Sequence, residues 1–541
     1  MASGDGLGAL AGFGDGGSRS ERTPAGLTLV GALVAAAVLF PATWLVIRVV
    51  GIPIDRTVDL LTGTTMAEVL VNSVVLVVVV TVASALIGVP LAFLTARTDL
   101  PGRRVVTVIA ALPLVVPSYI GAFAFVSAFG PRGEFADALA PLGVESIPSI
   151  YGLLGTALVL TLFTYPYVFL TTRAALLTFD ARLVEAARTL NHSRWGAFRR
   201  VTLPQIAPGI AAGSLLVALY TLSDFGTPAI MGFDVFTRVI YVEYNAFGRD
   251  FAALLSLQLL AVTAVILAIE SRLSRDASAY GGAGGRTGSR MRLGAWKAPA
   301  LAIVGLIALL ALVLPVGILV VWLQRGSPAF AGGGFAFSWV IGWHSVYVSV
   351  LAAAVATVAA VPVAYLAARY RSTLTTLIDR ATYVGFAFPG LVLGLALVYF
   401  GSAYAPALYQ TIPLLIFAYV VRFLPQSVGS IRSSVLQVDP RLGEAARTLG
   451  RTPMEAFRSV TLPLIAPGVV AGAALVFLTT MKELPATLLL RPTGFDTLVT
   501  YIWRVQDAGY YGQAAVPALA LVAISGLSML VIVGREPNDV E

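Results

Sequence analysis

Cysteine is absent from this chain of 541 residues, which excludes a disulfide framework, a thiolate metal centre and a cysteine nucleophile. Histidine is nearly as scarce. His192 and His344 each stand without another side chain at metal-ligand spacing, so no metal site is expected and helix-end or packing roles are. Only two lysines occur, Lys297 after Trp296 and Lys482 after Met481. A phosphate-binding loop needs Gly-Lys-Ser/Thr, because the lysine reaches the β- and γ-phosphates and the hydroxyl holds magnesium. Neither lysine has that context, so any ATP hydrolysis must come from another chain. No glycosidase, acyl-transfer or metal-hydrolase constellation is present either, and no cofactor is implied. Charge of both signs is thin as well: 12% of residues against about 25% in soluble domains.

What fills the chain instead is apolar: 58% hydrophobic residues and a mean hydropathy of +0.87 place it in a bilayer. Spanning takes about 20 mainly apolar residues per helix. The pattern predicts twelve spans, at 27–49, 69–96, 105–129, 150–172, 205–227, 251–270, 299–323, 344–368, 381–402, 410–430, 464–488 and 513–534. Prolines interrupt several of them, among them Pro90, Pro113, Pro117 and Pro362, as neighbouring helices in a bundle allow. The first 25 residues are rich in Gly, Ser and Asp and read as a disordered tail. The run after them is too long for a signal-peptide core, so an uncleaved first span is expected.

The net charge of +8 fits a nucleic-acid partner or an anionic surface, but its distribution favours membrane topology. With a cytoplasmic amino terminus, 27 of the 36 Lys and Arg fall on inside segments and 9 outside. That is the positive-inside bias; it implies that both termini are cytoplasmic and that no nucleic acid is bound, with a patch of nucleic-acid-binding arginines as the competing reading of the charge.

The chain is also a duplication. EAARTLNHSRWGAFRRVTLPQIAPG begins at Glu185 and EAARTLGRTPMEAFRSVTLPLIAPG at Glu444, with 17 of 25 aligned positions identical. At a second offset, NSVVLVVVVTVASALIGVPLAFLTART from Asn72 lies over HSVYVSVLAAAVATVAAVPVAYLAARY from His344, pairing Pro90 with Pro362, Arg97 with Arg369 and, beyond it, Pro117 with Pro389. The offsets differ because the first half carries a longer outer loop at about 131–146. Six predicted spans separate equivalent points, and six is even, so the halves are parallel repeats about an axis along the membrane normal. The Gly- and Arg-rich stretch 271–297 joins them.

Each copy of the repeat reads as a short surface helix, a turn and a new entry into the membrane. Asp180 and Asp439 are candidate N-caps, and Glu185 and Glu444 sit early, where a carboxylate suits the helix dipole. Gly450 suits a left-handed turn, and Asn191 is the next best residue for it in the first copy. Leu203-Pro204 and Leu462-Pro463 then open the next helices.

These residues resemble the EAA signature of the inner-membrane permease subunits of ABC importers. The resemblance implies an all-α polytopic membrane protein of two type I importer transmembrane domains, with cores at about 68–270 and 341–533 inside halves 26–270 and 298–535, and a tail at 536–541. It implies that the segment is a coupling helix docking on separate ATPase subunits, two of them and identical, and that an extracytoplasmic substrate-binding protein delivers the cargo. The docking surface would centre on Glu185, Ala186, Ala187, Arg188 and Gly196, and on Glu444, Ala445, Ala446, Arg447 and Gly450. Asn191 stands where the family has glycine.

Asp224 and Glu483 are equivalent acids near the outer ends of the fifth and eleventh spans, and together would make a cation-friendly mouth. Pairing of Glu483 with its neighbour Lys482, or snorkelling of that lysine, is the competing structural account. The stretches from Met481 (MKELPATLLLRPTGFDTLVTYIW) and Ser223 (SDFGTPAIMGFDVFTRVIY) are similar to fused two-half iron(III) permeases, with thiamine, phosphonate and polyamine importers as alternatives. An ion-coupled major facilitator also has twelve spans in parallel halves, but it has no use for two copies of a coupling segment.

Overall fold

The computed structural model describes residues 23–130, 133–135, 148–180, 182–191, 193–280, 291–325, 336–370 and 372–533. Most of the expected outer loop, His192, linker positions 281–290 and the outermost residues of both tails therefore lie outside the described residues.

In the first half, leaving aside the short helices Ile54–Thr62 and Arg194–Ala197, the helices are α1 (Ala25–Val50), α2 (Thr64–Arg97), α3 (Arg103–Ala111), α4 (Ser118–Phe129), α5 (Leu153–Thr178), α6 (Arg182–Thr189), α7 (Leu203–Ser223), α8 (Gly226–Ile230), α9 (Phe236–Asn245) and α10 (Arg249–Tyr280). The second half repeats the order with α11 (Gly294–Gln324), α12 (Trp339–Arg369), α13 (Thr373–Tyr383), α14 (Gly390–Tyr404), α15 (Ile412–Gln437), α16 (Pro440–Thr448), α17 (Leu462–Met481), α18 (Pro485–Leu490), α19 (Leu498–Asp507) and α20 (Tyr511–Val533). Nine helices among the described residues are long and apolar enough to cross a bilayer, and two bent pairs raise that to eleven. The expected twelfth span is α20, whose described apolar part, Tyr511–Leu527, is shorter than a crossing.

The third and ninth predicted spans coincide with the two bent pairs. Between α3 and α4 the axis turns by 91°, and between α13 and α14 by 101°. Proline is the cause. Val116 and Phe388 precede Pro117 and Pro389, and the proline ring drives each out of the helical region to ψ 123 and ψ 107. The same ring is tolerated inside α2 at Pro90 and α12 at Pro362, which stay continuous.

Within each half, α2, α5 and α7 pack together as α12, α15 and α17 do. In α5 and α15, 72% and 61% of the apolar window is buried, against 28% in α2, so those two are the central helices. They are also less apolar than α2, since only a helix surrounded by lipid must be hydrophobic all round. Small residues allow the close approach: Gly209 and Gly213 on α7, and Gly468 and Gly472 on α17, each lie against the α5 or α15 surface with no room for a Cβ.

The two halves interlock. α1 packs on α12, α13 and α14 of the other half as well as on α10 of its own, and α11 packs on α3 and α4 of the first half as well as on α20. The ring pairs Phe40–Phe400 (5.0 Å) and Phe123–Trp322 (4.5 Å) mark the two crossings.

The end of the linker is clasped to the base of α2. Met291 N donates to the Arg97 carbonyl (2.9 Å), Asp99 N to the Met291 carbonyl (3.1 Å), and Asp99 accepts from Leu293 N (2.8 Å) and Lys297 Nζ (2.7 Å). The Lys297 bond, then the Leu293 amide, hold the Asp99 carboxyl below its ordinary value. A depressed carboxylate favours the folded clasp above the unfolded pKa, and that gain is lost as pH falls through the folded one. Asp99→Asn is accordingly expected to speed amide exchange at Leu293 at neutral pH, measured by hydrogen exchange in nanodiscs. Wild-type protection in that variant would show the clasp to be held by the backbone alone.

Candidate functional site

Two places in the fold hold the candidate functional side chains: the two repeated segments and a cavity lined by both halves. Each segment begins with an aspartate cap. Asp180 Oδ1 accepts from Arg182 N, and Asp439 Oδ1 from Arg441 N, both at 3.0 Å. Each ends in a left-handed residue, Asn191 at φ 65 and Gly450 at φ 88, as their side chains predict. A second turn follows, in which Ser193 Oγ accepts from Gly196 N (3.1 Å) and Thr452 shares a capping box with Glu455.

Sequence reasoning aligned Arg97 with Arg369 without giving them a role. The last arginine of α2 donates from Nη2 to the Phe179 carbonyl (3.0 Å), and the last arginine of α12 does the same to Val438 (2.7 Å). Those carbonyls sit immediately before the two capping aspartates, so each arginine fixes where its short helix leaves the bundle.

Burial sorts the predicted surface residues identically in the two copies. Glu185, Ala186 and Arg188 are exposed, as are Glu444, Ala445, Arg447 and Gly450, whereas Ala187 and Ala446 are turned inward. The two inward alanines therefore seat α6 and α16 on the protein and present nothing outward. Gly196 is half-buried in the second turn, and its counterpart is Glu455, so Asn191 is the residue matching Gly450. Sequence reasoning missed a set of exposed apolar pairs around these helices: Leu183 with Leu442, Leu190 with Leu449, and Trp195 with Met454. Leu190 and Leu449 are 75% and 84% exposed, which for leucine at equivalent loop positions is the signature of a contact surface.

The cavity, of about 800 Å³, is lined by equivalent positions of both halves: Leu114 with Phe386, Tyr167 with Gln426, Tyr220 with Thr479, and Asp224 with Glu483. The two acids do not make an acidic pair, because their surroundings differ. Glu483 Oε1 accepts from Arg422 Nη1 at 3.0 Å, with the side chains only 6% and 17% exposed, and also from Ala486 N at 3.2 Å. Gly390 lies directly against both partners, where any Cβ would strike the guanidinium and the carboxylate. In the first half Phe163 replaces Arg422 and Ser118 replaces Gly390. Asp224 accepts instead from the Ser118 hydroxyl and from Thr227 N (2.8 Å), and Tyr220 donates to Ser118 Oγ (3.1 Å). Each acid also caps the short helix after it, α8 or α18.

Pairing of Lys482 with Glu483 does not form. Lys482 Nζ donates to the Leu114 carbonyl of the opposite half at 3.0 Å, at the bend between α3 and α4. Ser118 and Gly390, which adjoin the two acids, open α4 and α14 at the two bends. His344 packs on Phe495 and bonds the Asp496 carbonyl at 3.1 Å, as a packing histidine does.

The family described as binding-protein-dependent transport system inner membrane component matches residues 84–327 and 360–534, the first match running on through the linker and α11. The chain belongs to that family. Over 517 residues it is 33% identical to the Fe(3+)-transport system permease protein FbpB 2 of Haemophilus influenzae, covering 95% of this chain and 98% of that one. It is 34% identical over 201 residues to a probable molybdenum ABC transporter permease protein of Haloferax volcanii, covering 36% of this chain and 72% of that protein. The sulfate transport system permease protein CysT of Escherichia coli is 25% identical over 207 residues, again 36% of this chain. As a member of the binding-protein-dependent family, the chain is a multi-pass ABC permease, a transport subunit and not an enzyme, with ATP hydrolysis on a separate subunit.

Proposed function

We propose that this permease carries iron(III), with both termini cytoplasmic and two identical ATPase subunits seated on α6 and α16. The observation that carries the substrate is collinearity: the ferric relative aligns with almost the whole chain, both halves included, whereas the molybdenum and sulfate relatives align with about a third of it. The positive-inside distribution supports the orientation. The near-identity of the two segments supports a homodimeric ATPase, since one groove must accept both Glu185-Ala186 and Glu444-Ala445.

On this reading ATP binding draws the ATPases together, α6 and α16 follow, and the halves rock about the cavity toward the binding protein. The helices α1 and α11, each packed on both halves, keep the halves attached through that motion. The test is ATP-dependent uptake in proteoliposomes holding this chain, its ATPase and its binding protein, with labelled iron(III), thiamine and molybdate offered in parallel. Saturable uptake of iron alone is the expected result. Uptake of another cargo in its place would replace the substrate, and uptake without ATP would overturn the coupled mechanism.

A further inference from the structure

Three acids line the cavity, and two of them are neutralised: Glu483 by Arg422 and Asp379 by Arg432 at 2.9 Å. Asp224 has no ion-pair partner among the described residues; its carboxylate is held by neutral groups, among them the Ser118 hydroxyl and the Thr227 amide. Tyr119, next in sequence to Ser118 and only 5% exposed, lines the same cavity within electrostatic reach of both Asp224 and Glu483, with a phenol oxygen that has no hydrogen-bond partner among the described residues. A buried hydroxyl left unpaired costs free energy, so it calls for an explanation. Gly226 brings the ring there, since a Cβ at that position would collide with the Cβ of Tyr119.

We propose that Asp224, Tyr119, Tyr220 and Ser118 form a way-station for a hard, highly charged cation in transit through the cavity. The donors are all oxygen, one carboxylate, two phenols and one alcohol, and oxygen is the ligand that hard cations select. Among the described residues no three His, Cys, Asp or Glu side chains converge, so hydroxyl oxygens must complete any such site. Space suffices: at about 30 Å³ per water, a cation with six waters needs roughly 200 Å³, well within the cavity's 800 Å³. The site is one-sided. Its counterparts across the pseudo-twofold are Glu483, Leu391, Thr479 and Gly390, which offer a carboxylate already bound to arginine and no phenol. A single unpaired carboxylate also suits transit, because a path must bind weakly enough to release.

The inference rests on the iron(III) reading for the identity of the ion, and terbium(III) separates the two. With the full chain in nanodiscs, tyrosine-sensitised terbium emission is expected to saturate. Affinity should fall about tenfold or more in Asp224→Asn and several-fold in Tyr119→Phe. Tyr419→Phe, a buried tyrosine bonded to Thr487 in the other half, should bind terbium as wild type does. Tyr119→Phe removes no hydrogen bond, so its melting temperature should match wild type. Terbium affinity unchanged in both site variants overturns the way-station, whether or not iron is carried. Terbium binding lost in both, beside a wild-type complex that takes up no labelled iron(III), keeps the site and overturns the iron reading.

Discussion

Alanine at both Glu185 and Glu444 is expected to lower ATP-driven uptake at least tenfold, while the ATPase subunits keep hydrolysing and the spans stay folded. Both carboxylates are exposed on short helices outside the bundle, and exposed substitutions away from caps usually change stability by no more than about 0.5 kcal/mol. The caps belong to Asp180 and Asp439, and the helices are anchored by Ala187, Ala446 and the arginines Arg97 and Arg369, all untouched by the exchange. What changes is the charge offered to a docked subunit beside the exposed Leu190 and Leu449. The measurement is cargo moved per ATP hydrolysed in proteoliposomes, with the melting temperature as the folding control. Wild-type coupling in the double variant would remove these glutamates from the docking surface. Because the copies are equivalent, each single variant should fall between wild type and the double.

Much of this surface was legible in the sequence, because its features are local. An aspartate two residues before a helical amide, a proline in the first turn, and glycine or asparagine at the left-handed position each act within a few residues of chain. The spans were legible because lipid imposes a composition on every helix that meets it. Direction was not. The runs 105–129 and 381–402 are continuously apolar, and hydropathy carries no record of the right-angle turns at Val116 and Phe388. The packing of α1 and α11 across both halves was equally hidden, since either helix is apolar enough to pack on either partner. Burial of Ala187 and Ala446 follows from the way α6 and α16 dock, which no spacing encodes. At the cavity, sequence adjacency pointed Glu483 at Lys482. The actual partner, Arg422, comes from a different helix, 61 residues away. One signal was available: aligning the halves puts Phe163 opposite Arg422 and Ser118 opposite Gly390, so the repeat departs from itself where its acids are satisfied differently.

That departure sets the second large effect. Arg422→Met alone is expected to destabilise the protein by about 3–5 kcal/mol, because it strands the Glu483 carboxylate in a site where both side chains are shielded. Arg422→Met with Glu483→Gln should regain most of the loss, since the stranded charge goes with its partner. The first half supplies a sharper control. There the same geometry is held by Phe163, Ser118 and Asp224, with a hydroxyl and an amide on the carboxylate in place of a guanidinium. A triple exchange, Arg422→Phe, Gly390→Ser and Glu483→Asp, copies that solution into the second half. Gly390→Ser alone should also lower stability, because its Cβ displaces the guanidinium and the carboxylate from their pairing geometry. In the triple variant the arginine is gone and the serine has an acid to donate to. Thermal unfolding in nanodiscs should therefore rank the triple variant near wild type and both single variants well below it. If Arg422→Met melted with wild type, the pair would be contributing nothing to the fold, and the difference between the halves would have to be explained by the cargo path alone.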